Sequence, residues 1–245
     1  MRGFYVLLPA LAVAACGFGA DAQEGESSEY DGRIVQRAYD VGGFDSVSLG
    51  GHHNVVVTVG PAASVRAEGP ASEIDRLKIE VEDGDLHIGT KKDRKWFGST
   101  HSRRPVTVHV TTPTLAAAAI GGSGDMRIDA VEGSRFSASI GGSGDMNIAS
   151  LRVDSADFSI AGSGGIHAAG TAGRTNVSIA GSGDIDLAKL ESRRADVSIV
   201  GSGDVSARAM ESADVSIMGS GDVVISGTAR CSVNKMGSGD VRCGG

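Results

Sequence analysis

From residue 121 to the end of the chain one short word keeps returning: GGSGD at 121 and 141, AGSGG at 161, AGSGD at 180, VGSGD at 200, and MGSGD at 218 and 236. Counted from the glycine before the serine, the copies start at Gly122, Gly142, Gly162, Gly181, Gly201, Gly219 and Gly237, at spacings of 20, 20, 19, 20, 18 and 18. A loop that cradles a phosphate is needed once. Copies at so regular an interval require a chain that turns a corner every 18–20 residues, which is the mark of a solenoid of stacked rungs.

The residues beside each corner fall into columns. Four and two places before the glycine stand Ala118, Ala138, Phe158, Val177, Val197, Val215, Val233 and Ile120, Ile140, Ile160, Ile179, Ile199, Ile217, Lys235. One and three places after the Asp position stand Met126, Met146, Ile166, Ile185, Val205, Val223, Val241 and Ile128, Ile148, Ala168, Leu187, Ala207, Ile225, Cys243. Only Lys235 breaks the apolar pattern. The alternate positions are polar, with Ser139, Ser159, Ser178, Ser198 and Ser216 in one row and Arg127, Asn147, His167, Asp186 and Ser206 in another. Period two with one apolar side predicts half-buried strands. Each repeat then reads as strand, GSGD corner, strand and a second corner, the latter with its own acceptors at Asp157, Asn176, Asp196 and Asp214. Glycine supplies positive φ at such corners, and Asp and Ser oxygens accept from nearby backbone N–H groups. Proline is absent after Pro113, as a continuous backbone ladder requires.

A worn copy precedes the regular ones. Val47–Val57 aligns with Val177–Leu187 and puts Asn54 at the Asp position, and SVRAEG, LKIEVEDGDLHIGT and RRPVTVHVTTP supply further strand-like runs. One all-β domain over 43–245 is expected, with irregular rungs over 43–115 and regular GSGD repeats over 116–245. Residues 23–42, polar and without sustained periodicity, read as a flexible tether.

The first 22 residues have the layout of an export signal: Arg2, the apolar run FYVLLPALAVAA, and Ala20-Asp21-Ala22 as a cleavage site. Val13-Ala14-Ala15-Cys16 also resembles a bacterial lipobox, so Cys16 is either the lipidated first residue or is discarded with the signal. Both readings place the protein in the periplasm or at the outer membrane or cell surface of a bacterium. Cys231 and Cys243 then remain as a pair flanking the last repeat, and a disulfide between them is expected in an oxidising compartment.

Composition narrows the function classes. Lys plus Arg is 23 against 30 for Asp plus Glu, a net charge of -7, which excludes a general nucleic-acid binder. The GSGD word lacks the lysine of a phosphate loop and puts a carboxylate where the anion would sit. It does not match GxSxG either, and no histidine column accompanies the serines. The six histidines are scattered and read as surface residues rather than as zinc ligands. Two readings of the column Asp125, Asp145, Asp184, Asp204, Asp222 and Asp240 stay open: hydrogen bonding to corner amides, or calcium bridging neighbouring rungs. Gly165 interrupts the column. The segment 91–104 carries Lys91, Lys92, Arg94, Lys95, Arg103 and Arg104 against the single acid Asp93, with Trp96 and Phe97 between them. It is either a solvated hairpin tip or a contact for an anionic envelope polymer or lipid headgroup.

In Phe44-Asp-Ser-Val-Ser-Leu49, Asn54-Val-Val-Val-Thr-Val-Gly60, Asp83-Gly-Asp-Leu-His-Ile88, Val106–Leu115 and the serial GSGD corners, the chain resembles the bacterial family of auto-transporter adhesins with a head GIN domain. The resemblance implies a right-handed parallel β-helix in an exported protein and supplies no catalytic residues. The reading that follows is a non-enzymatic cell-envelope binding or adhesion module that contacts polysaccharide, lipid headgroup or a protein surface, with no nucleic acid and no cofactor unless calcium occupies the Asp column. The alternatives are a calcium-dependent polysaccharide-active enzyme on the same scaffold, or a purely structural envelope protein.

Overall fold

Apolar residues at matched positions in successive repeats can be buried together only if the rungs stack in register. The computed structural model, which describes residues 33–91, 104–227 and 230–244, has this arrangement. Strands Asp145–Gly162, Gly165–Gly181, Asp184–Gly201 and Val205–Gly219 lie parallel, each on the one before, with Ile140, Ile160, Ile179, Ile199 and Ile217 in one line. Below them, Ser46–Gly51 pairs with Ala117–Gly122, and Asn54–Val59 with Met126–Ile128. Gly51 thereby meets Gly122 and Val55 meets Met126, so the worn first copy occupies the position its alignment predicts.

All four apolar columns are buried from their first members through the sixth repeat. The seventh is the open end of the stack: Val233 is 48% exposed. Lys235 continues the line of Ile217 at this end, where its Nζ donates to Gly239 O at 2.6 Å. A lysine is tolerated in an otherwise apolar column because, among the described residues, no further rung covers it. The Cys231–Cys243 disulfide joins the last two strands, Arg230–Gly237 and Val241–Cys243, at the same end.

The rung differs from its two-strand reading in having a third side. After the second apolar pair the chain passes an irregularity in the parallel register, between Ile148 and Leu151 in one rung and between His167 and Ala169 in the next, and then runs on as strand. Leu151, Val153 and Ala156 on one rung, and Leu190 and Ala195 on another, are buried along this side. Its columns mix Gly133, Val153, Ala172, Ser192 and Ala209, so apolar periodicity alone does not reveal it. The supposed second-corner acceptors sit on the outward face of strands instead. There Asn176 Nδ2 donates to Asp157 Oδ1 at 2.6 Å, and Arg174 Nε stands 3.7 Å from Asp196 Oδ2.

In the N-terminal half Asp85–Thr90 and Thr107–Thr112 stack in parallel on Ser46–Gly51 and Asn54–Val59, and antiparallel strands are added to these. Leu77–Glu82 and Asp85–Thr90 form a hairpin, its turn at Asp83 and Gly84 with positive φ, and Ser64–Pro70 runs antiparallel to Thr107–Thr112. A six-residue helix, Ala71–Arg76, joins two of these strands. Ile34–Tyr39, within the stretch read as a tether, adds an antiparallel edge strand to Ser64–Pro70. Val35 and Tyr39 rest on the core, whereas Arg37 between them pairs with Asp75 at 2.6 Å; that charge hides the alternation from a pattern search. The signal, Cys16 and the tether up to residue 32 lie outside the described residues.

Candidate functional site

The corners repeat one backbone device. At each GSGD the serine N–H donates to the carbonyl of the equivalent glycine one rung down, for example Ser143 to Gly122 at 2.8 Å, Ser202 to Gly181 at 2.8 Å and Ser220 to Gly201 at 2.9 Å. The aspartates form a second ladder alongside. Asp145 N–H donates to Asp125 Oδ1 at 3.1 Å, Gly165 N–H to Asp145 Oδ1 at 2.8 Å, Asp204 to Asp184 at 2.9 Å, Asp222 to Asp204 at 2.8 Å and Asp240 to Asp222 at 2.7 Å. At the bottom, Asp125 N–H meets Asn54 Oδ1 at 3.4 Å. Gly165 offers no carboxylate to the next rung, and Asp184 N–H turns to Gly164 O at 3.2 Å instead.

Neighbouring carboxylates in such a column would repel by roughly 1 kcal/mol in water at rung spacing. Each interior one is offset by a charge-assisted bond to the amide above it. Among the described residues no group of three or more His, Cys, Asp or Glu side chains is placed to hold a metal ion. Asp204→Ala removes one acceptor at an exposed corner, so a loss of roughly 1 kcal/mol is expected, a fall in Tm of about 2–4 °C for a domain of this size. Asp204→Asn keeps an oxygen in place and should melt close to the parent protein. Parallel melts with calcium and with chelator read the other use of these oxygens, and equal midpoints are the expected result.

One histidine departs from the surface expectation. His53 is fully buried at the first corner, beneath Gly124 of the next rung. Its Nδ1 accepts from Val106 N–H at 3.3 Å, which leaves the proton of the neutral ring on Nε2, 3.3 Å from Thr90 Oγ1. Burial pushes its pKa down to about 4, helped by the nearby His52 and Arg76. The unfolded chain therefore binds a proton that the folded one refuses between pH 6.5 and about 4. Stability is complete above this window and falls as pH drops through it, by about 3 kcal/mol. His53→Asn keeps an acceptor for Val106 and should flatten that part of a Tm-against-pH curve.

Two shallow grooves lie on the outward face of the GSGD-leading strands. One, about 420 Å³, is bordered by Ser48, Lys78, Glu80, His87 and Thr90 at the N-terminal end. The other, about 460 Å³, is bordered by Asn176, Asp196, Asp214, Ser198, Ser216 and Asn234 at the C-terminal end. Sequence reasoning saw the serine row but not the groove, which depends on how rungs align. Of the basic and aromatic segment, only Lys91 and Arg104 fall within the described residues. Lys91 Nζ donates to Asp75 O at 2.8 Å, and Arg104 is exposed. Lys92, Arg94, Lys95, Trp96, Phe97 and Arg103 lie outside them.

No curated protein matches the chain. Solved structures do. A putative adhesin from Bacteroides fragilis NCTC 9343 aligns with a TM-score of 0.79 at 23% identity, over 86% of this chain and 96% of the other. A putative lipid binding protein from Parabacteroides distasonis ATCC 8503 aligns with a TM-score of 0.71 at 25% identity, over 86% and 97%. A putative adhesin from Parabacteroides merdae ATCC 43184 gives 0.68 at 18%, over 86% and 96%. These likenesses are of overall fold. Residues 43–229, from the first buried strand through the sixth glycine corner, match the family described as putative auto-transporter adhesin, head GIN domain, and the chain belongs to that family.

Proposed function

We propose that the protein is an exported, non-enzymatic binding module of the bacterial cell envelope, of adhesion type, and that residues 91–104 are its contact for an anionic envelope polymer or lipid headgroup. The observation that carries this reading is the distribution of charge. The Asp column is engaged rung by rung with backbone amides, whereas Lys91, Lys92, Arg94, Lys95, Arg103 and Arg104 gather against one acid in a chain of net charge -7. Trp96 and Phe97 among them supply apolar area that can enter a headgroup layer. Family membership and the similarity to a protein described as lipid-binding support the same direction. Acylation at Cys16 would hold the module at the membrane surface.

The test is co-sedimentation with vesicles of phosphatidylglycerol and, separately, of phosphatidylcholine. Binding to the anionic vesicles alone, weakening as salt is raised, is expected. Each basic residue near an anionic surface contributes about 1 kcal/mol, so the combined Lys91→Ala, Lys92→Ala, Arg94→Ala and Lys95→Ala variant should lose nearly all of it. Equal binding to both vesicles, or no effect of the four substitutions, would overturn the assignment.

A further inference from the structure

The outward face of the C-terminal rungs carries three adjacent rows whose side chains differ in length and character. Alternation along each strand puts Asn176, Ser178 and Ala180 on one rung, Asp196, Ser198 and Val200 on the next, Asp214, Ser216 and Met218 on the third, and Ser232, Asn234 and Met236 on the last. On the two central rungs the middle residue, Ser198 or Ser216, is shorter than those beside it, and a shallow trough runs there along the axis of the stack, lined by Asp196, Asp214, Ser198, Ser216 and Asn234. Earlier rungs have Gly121, Gly141, Ala161 and Ala180 in the third row, where the later ones have Val200, Met218 and Met236.

The exposed side chains that line the trough are polar, and Asp196 and Asp214 among them present carboxylates. Asp196 faces Arg174 at 3.7 Å, and among the described residues nothing donates to Asp214 or to the hydroxyls of Ser198 and Ser216. Beyond the serine row, Val200, Met218 and Met236 stand 55%, 57% and 68% exposed in a single line beside the trough. Isolated exposed apolar residues are ordinary, but a row held in register is a surface. The trough is lined by Asp196 and Asp214 and by no lysine or arginine; Arg174 stands 3.7 Å from Asp196, which leaves Asp214 to repel an anionic polymer.

A ligand for such a channel needs hydroxyl donors along one edge, apolar C–H groups along the other, no negative charge and an extended shape. A neutral pyranose chain has all four, and its rings advance by nearly the rung spacing of roughly 4.8 Å. A peptide adding a strand would need a free sheet edge rather than a face, and an acyl chain would find only one apolar side. We propose that this trough binds an uncharged polysaccharide, laid along the solenoid axis with ring hydroxyls donating to Asp196 and Asp214 and ring C–H faces against Val200 and Met218. This deepens the envelope-binding reading by naming a ligand class at a second site, distinct from residues 91–104.

Amide NMR of the full chain, titrated with cellohexaose, chitohexaose and mannohexaose and with hexagalacturonate as the anionic control, tests it. At least one neutral hexamer is expected to shift the amides of residues 176–180, 196–200 and 214–218 selectively, while hexagalacturonate leaves them in place. Ser198→Arg with Ser216→Arg fills the trough from its exposed side and should weaken that binding by at least about tenfold, with the fold reported intact by the unshifted remainder of the spectrum. Val200→Ser with Met218→Ser should weaken it too. Silence of these amides toward every neutral hexamer, or equal affinity in the Ser198→Arg, Ser216→Arg protein, overturns the proposal. Retention of phosphatidylglycerol binding in that case would leave the role of residues 91–104 standing on its own.

Discussion

Ile179→Asp is expected to abolish the folded solenoid. Ile179 is 1% exposed and lies in register between Ile160 and Ile199, so its replacement puts a carboxylate into a column with no donor or cation to meet it. A lone buried charge costs several kcal/mol, and the lost apolar burial adds about 2 kcal/mol. The sum is comparable with the whole stability of an ordinary domain. Because each rung has its neighbours as its core, the damage reaches the rungs on both sides. Ser178→Ala, one residue away on the outward face, should change stability by no more than about 0.5 kcal/mol. Circular dichroism melts of the two variants decide the matter: a folded Ile179→Asp protein with the parent midpoint would refute the inward assignment of the column.

Gly201→Ala is the second large effect. Gly201 has φ +136°, and an added Cβ would lie 2.0 Å from Gly181 O, the same oxygen that accepts from Ser202 N–H. The substitution therefore strains the backbone and pushes apart a rung contact that cannot give way without breaking the ladder. A loss of about 3–5 kcal/mol is expected. Gly133→Ala makes the control, since a Cβ there meets nothing within 4 Å; it should be neutral or stabilise by about 0.4–1 kcal/mol through the unfolded chain. If the two alanine variants melted alike, close stacking of the corners would not be what selects glycine in GSGD.

The same corners show how far the sequence can be read. Period-two alternation around a recurrent glycine word specified the inward columns, and Ile120 through Ile217 are buried as that pattern requires. The alignment that put Asn54 at the Asp position is reproduced in the pairing of Val55 with Met126, and the cysteines that flank the last repeat are joined. The edge strand Ile34–Tyr39 was not legible, because Arg37 interrupts a short alternation and its partner strand lies about 30 residues on. His53 was not legible either, since one histidine among polar neighbours carries no sign of the backbone that closes over it.

Side-chain direction along a strand is a local property, so the sequence by itself determined which residues of the strands flanking GSGD face inward, where those corners fall and why glycine recurs. It did not determine the second corner, whose expected acceptors lie on strands. What lies above or below a given atom is set by the register of a rung 18–20 residues away, and only the tertiary structure decided that. Asp204 could have turned to its own corner; parallel stacking instead brings Asp222 N–H to within 2.8 Å of its Oδ1. Likewise Ser198 is one small polar residue in the chain, and becomes part of a groove only because stacking sets Ser216 and Asp214 of the next rung beside it and Asp196. Hydrogen bonds and grooves across rungs depend on distances of a few ångströms between residues remote in the chain, and local periodicity holds no record of those distances.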